Sequence, residues 1–117
     1  MVQPTPRPLP PQWVELALDD DDVAATLRIL SDTDVTWSRL YHVFEIIETD
    51  ASSQLDGWST SAERNLFAHT ANNRLALSDD ARHGHEKWKP PTQPMTLDQA
   101  RTLIRTIAIG WLTAKVS

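Results

Sequence analysis

The chain has 117 residues, 40% hydrophobic and 23% charged, which suits one domain built on one core. Its net charge of −5 weighs against sequence-independent binding to duplex DNA, which needs many Lys and Arg on phosphates, and no apolar run approaches the ~18–20 residues that span a bilayer. The absence of cysteine excludes disulfides, thiolate nucleophiles and cysteine-bound zinc, and makes a cytoplasmic location the expectation.

Residues 1–12 hold Pro4, Pro6, Pro8, Pro10 and Pro11, so an extended or disordered proline-rich arm is predicted there, with a single helical domain over 13–117. Arg7-Pro8-Leu9-Pro10-Pro11 resembles half of a ligand for an SH3 domain, but Trp13 stands where the closing proline would fall. No apolar signal core opens the sequence. Trp13 to Leu18 is apolar and too short to read as helix or strand. The acidic run Asp19 to Asp22 then precedes Val23, Ala24, Leu27 and Leu30, where carboxylates suit the free N–H groups and positive dipole of a helix start. It lacks the alternating ligands and glycine of a calcium loop.

A second helix is predicted over 35–48, capped by Asp34. Trp37, Leu40, Tyr41, Phe44 and Ile47 form one broad apolar face, widened by Val43 and Ile46, with Glu45 and Glu48 outside. Residues 49–57 read as a loop. Thr60-Ser61-Ala62-Glu63 has the pattern of a capping box and starts a third helix over 61–72, stopped by Asn72-Asn73. Residues 74–94 have little periodicity and read as a long connection. A second capping box, Thr96-Leu97-Asp98-Gln99, opens the last helix, where Ala100, Leu103, Ile104, Ile107, Ala108, Trp111 and Leu112 keep a 3.6-residue stripe. Gly110 interrupts it at a cost of ~1 kcal/mol relative to alanine, which suggests close approach by another helix. The fold expected is all-α, four main helices in a bundle, with the second and fourth supplying most of the core.

Charge is uneven. Residues 1–81 carry 5 basic and 14 acidic side chains, net −9; residues 82–117 carry 6 basic and 2 acidic, net +4. That polarity can orient a partner or a second copy of the chain.

Two constellations carry chemistry. In Arg64-Asn65-Leu66-Phe67-Ala68-His69, a cation, a carboxamide and an imidazole fall within two helical turns. Asn65 and His69 share a helix face, whereas Arg64 lies ~140° around the axis from His69. In Arg82-His83-Gly84-His85-Glu86, Arg82 and His83 are candidates for binding an anion or a partner, and Arg82 is expected to pair with a carboxylate from the first 81 residues. The His-x-His spacing, with Asp79 and Asp80 nearby, is not specific for a metal, so no metal or cofactor is assigned. Three glycines allow no phosphate-binding loop, and no serine sits in a hydrolase-like elbow.

The Arg64-x4-His69 spacing, with a polar residue after the arginine, resembles the motif of the HEPN nucleotide-binding and ribonuclease superfamily, whose domains are small, helical and commonly dimeric. That resemblance implies metal-independent RNA cleavage, with His69 moving the proton, Arg64 stabilising charge on phosphate oxygens and Asn65 orienting the pair. A longer pattern runs from Trp37-Ser38-Arg39-Leu40-Tyr41 through Ala81-Arg82-His83-Gly84 and Pro94-Met95-Thr96 to Trp111-Leu112. It resembles a group of small bacterial helical proteins to which no chemistry is attached, and implies a helical unit that stands alone. The leading expectation is an interaction module that forms homo-oligomers or docks a protein partner. The alternative is a HEPN-like endoribonuclease of a toxin or phage-defence system, with RNA as substrate.

Overall fold

Asp20 accepts hydrogen bonds from the backbone N–H of Asp22 at 3.0 Å and of Val23 at 3.2 Å, so the acidic run divides two helices instead of only preceding one. In a computed structural model, which describes residues 9–79 and 91–117, these are α1 (Pro11–Asp19) and α2 (Asp21–Leu30). Helix α3 follows (Trp37–Ala51), then a 3₁₀ helix (Ser52–Gly57), α4 (Ser61–Asp79) and α5 (Leu97–Val116). The described residues are all-α, with five α-helices where periodicity predicts four. The extra one is α1. Pro11 occupies its first turn, where the missing N–H has no intrahelical partner to lose, so residues 11–12 belong to a helix and not to the arm. Residues 1–8 lie outside the described chain.

Other boundaries also shift for local reasons. Thr36, not Asp34, caps α3 by accepting from Arg39 N–H at 3.3 Å, while Asp32 takes the N–H of Asp34 at 2.9 Å in the preceding turn. Helix α3 then runs on to Ala51 and passes into the 3₁₀ helix, so the stretch read as a loop is largely helical. Helix α4 passes through Asn72-Asn73, with Asn73 buried, and reaches Asp79. Arginine, leucine and alanine after it are good helix formers even without an apolar stripe. Both capping boxes form. Thr60 and Glu63 exchange bonds of 2.9 and 3.1 Å, and Thr96 and Gln99 do the same.

Leu40 near the start of α3 shares a groove with Asp98 and Arg101 at the start of α5, and Asp50 near the end of α3 bonds Trp111 late in α5. The two helices therefore lie side by side in the same direction. Trp58, just before α4, meets Gly110 late in α5, and Thr70 of α4 accepts from Met95 N–H at 3.1 Å just before α5. Helix α4 is therefore antiparallel to α5. The α5 stripe is buried as its period predicts, and Leu40, Val43, Phe44 and Ile47 of α3 join the same core. Phe67 of α4 is fully buried among three α3 rings, with centroids 6.2 Å from Trp37, 6.1 Å from Tyr41 and 5.5 Å from Phe44. The aromatic side of α3 thus holds α4, while its aliphatic residues enter the core shared with α5.

Candidate functional site

Arg64 begins α4, and its guanidinium turns back toward the 3₁₀ helix. Nη1 donates to Ser59 O at 3.0 Å and to Ser59 Oγ at 2.8 Å, and Nη2 donates to Asp56 Oδ1 at 2.6 Å. The arginine side chain is only 15% exposed, whereas the Asp56 side chain is 85% exposed. Asn65 and His69 are exposed farther along the helix. Regular α-geometry separates Arg64 and His69 by ~140° around the axis, and the fork of Arg64 is committed toward Ser59 and Asp56. Three of the five N–H donors of Arg64 are engaged in these bonds, two on Ser59 and one on Asp56. Arg82 and His83, together with His85, lie outside the described residues, as does the expected Arg82 ion pair. Among the described residues no group of three or more His, Asp or Glu side chains is placed to hold a metal ion.

A charged knot ties the carboxyl ends of α3 and α5 to the α1–α2 junction. Trp111 Nε1 donates to Asp50 Oδ2 at 2.8 Å, and Lys115 Nζ lies 3.1 Å from the same oxygen and 3.7 Å from Asp20 Oδ2. The ammonium also sits 5.0 Å from the centroid of the Trp111 ring. The indole bond, then Lys115, holds the Asp50 carboxyl below its ordinary pKa. Glu63 is likewise lowered, chiefly by the N–H of Thr60. Both shifts are accounted for by structural bonds.

Two surface features escape the sequence reading. The first is α1, in which no residue is buried: Trp13, Leu16 and Ala17 pack partly on the core, while Val14 is 47% and Leu18 81% exposed. Val14 and Leu18 are four residues apart, on one face. The signal in the sequence was an excess. Trp13, Val14, Leu16, Ala17 and Leu18 fill more than one face of a short helix. The second is a groove of about 290 Å³ between the end of α2, the start of α3 and the first half of α5, with Arg101 and Arg105 on its rim. Their i, i+4 spacing was visible, but not the apolar floor that other elements bring beneath them. A second cleft, about 480 Å³, separates α4 from α5 around Trp58, Leu66 and Met95.

Comparison with known proteins supplies no family: no family model, no curated protein and no solved structure matches the chain. Among the described residues no helix is long and apolar enough to cross a membrane.

Proposed function

We propose that this chain is a small helical interaction module that associates with a second copy of itself, or docks another protein, through α1. The observation that carries this reading is the exposed pair Val14 and Leu18 on a helix with no buried residue. A nine-residue helix is marginal in water without tertiary support, and α1 leaves much of its apolar surface unused within the chain. Exposed Asp19, Asp21 and Asp22 continue directly from Leu18 and give the patch an acidic border, against which the basic last third of the chain is complementary. The resemblance carried by Trp37 to Trp111, to small bacterial helical proteins, implies a helical unit that stands alone and attaches no chemistry to it.

The HEPN-like ribonuclease is the less supported reading, because the Arg64 guanidinium is turned toward Ser59 and Asp56 and commits three of its five donors there. Sedimentation equilibrium of the parent and of Val14→Glu/Leu18→Glu tests the leading one. The parent should gain mass with concentration and the variant should remain monomeric, with the same helical content. A parent that stays monomeric at millimolar concentration would overturn self-association.

A further inference from the structure

Arg101 and Arg105 stand one turn apart on α5, and among the described residues neither has an ion-pair or hydrogen-bond partner. Both border the groove of about 290 Å³ whose floor is Ile29, Leu30, Val35 and Leu40. The carboxylates beside them are otherwise engaged. Asp32 pairs with Arg39 and accepts the Asp34 N–H, and Asp98 sits in the first turn of α5, where the helix dipole favours a negative charge. With Asp32 neutralised by Arg39, two guanidinium groups face one carboxylate. The local excess is a single positive charge, in a chain whose net charge is −5.

These quantities select the ligand. A guanidinium fork matches the two oxygens of a carboxylate. One negative charge completes the balance, whereas a dianion would meet repulsion from Asp98. The floor is aliphatic, so the remainder of the ligand is apolar. The volume lies at the lower edge of the ~300–1,000 Å³ of ordinary ligand sites, which suits a small molecule and is too small for a docked helix. We propose that this groove binds a small apolar monocarboxylate, with its carboxylate on Arg101 and Arg105 and its hydrocarbon on Ile29, Leu30, Val35 and Leu40. The inference is independent of the α1 surface, so either can fail alone.

Octanoate is the probe. Titrated into the full chain, it should shift the methyl resonances of Ile29, Leu30, Val35 and Leu40 saturably. The variant Arg101→Gln/Arg105→Gln should keep the parent's melting curve and bind at least about tenfold more weakly, because each charge-assisted bond is typically worth about a factor of ten or more. Octanol, which lacks the charge, should also bind the parent at least about tenfold more weakly than octanoate on the same reasoning. Four results would overturn the proposal: no saturable shifts with octanoate, equal affinity for octanol, unchanged affinity in the arginine variant, or shifts confined to the cleft around Trp58 and Leu66. A peptide with a free carboxyl-terminal leucine that binds the groove when octanoate does not would also overturn it, in favour of a protein end as the occupant.

Discussion

The indole of Trp58 lies directly on Gly110: a β-carbon built there would fall 2.4 Å from Cδ1, 2.5 Å from Cγ and 2.6 Å from Nε1 of the ring. The close approach that Gly110 suggests is therefore made by a side chain at the end of the 3₁₀ helix, within the same chain. Gly110→Ala gains up to ~1 kcal/mol of helix propensity but forces the ring aside, and overpacking of this kind typically costs ~1–3 kcal/mol. The substitution should destabilise the parent in urea melts. In a Trp58→Ala background it should stabilise instead. The same sign in both backgrounds would show that the ring is not what the glycine accommodates.

Thr26 is fully buried in α2, and among the described residues its Oγ1 has no hydrogen-bond partner. An unpaired buried hydroxyl costs ~1–3 kcal/mol relative to a satisfied one. Thr26→Val keeps the shape and removes the hydroxyl, so it should raise the unfolding midpoint. A clear loss of stability would mean that the hydroxyl is bonded in solution.

Ile107 and Ile109 stand two positions apart on α5 with opposite fates, 0% and 43% exposed. Ile107→Ala should cost ~2–5 kcal/mol, a large part of a total stability of ~5–15 kcal/mol. Ile109→Ala should change stability by no more than about 0.5 kcal/mol. Equal effects at both sites would contradict the placement of the α5 stripe.

Asp50 links stability to pH. Its carboxyl is held below its ordinary pKa by the Trp111 N–H first and Lys115 second. A depressed folded-state pKa means stability that is fully present above the unfolded value and is lost as pH falls through the folded one. The carboxylate side chain is 49% exposed, so its ion pair with Lys115 contributes at most about 1 kcal/mol. Asp50→Asn should be less stable than the parent at neutral pH, and the difference should close as pH falls below ~3.9, the ordinary aspartate value. A difference that persists undiminished at pH 2 would place its origin in packing and not in charge.

Arg64→Ala removes the clasp on Ser59 and Asp56 and should lower stability by about 1–2 kcal/mol, with Arg64→Lys restoring only part because ammonium cannot reproduce the fork. The purified parent should leave single-stranded RNA intact. Cleavage that survives EDTA and falls ~10²–10⁴-fold in His69→Ala would instead place the HEPN-like reading first.

The helices with a strong local signal were legible from the chain alone. Reciprocal caps at Thr60–Glu63 and Thr96–Gln99, and the stripe from Ala100 to Leu112, rest on contacts three or four residues apart, so neighbouring residues suffice to specify them. The continuation of α4 beyond Asn73 and the helical state of Trp13 to Leu18 were not legible, because no apolar period marks the first and the second is too short for one. Packing decided the rest. Leu40 beside Arg101, Trp58 on Gly110 and Trp111 on Asp50 join positions 52 to 61 residues apart, and no periodicity connects such distances. The sequence brought Arg64 and His69 close along the chain, but the fork's orientation depended on where the turn placed Ser59 and Asp56. The reverse holds for Arg101 and Arg105: their spacing was plain, and only the arrival of α2 and α3 beneath them made a groove.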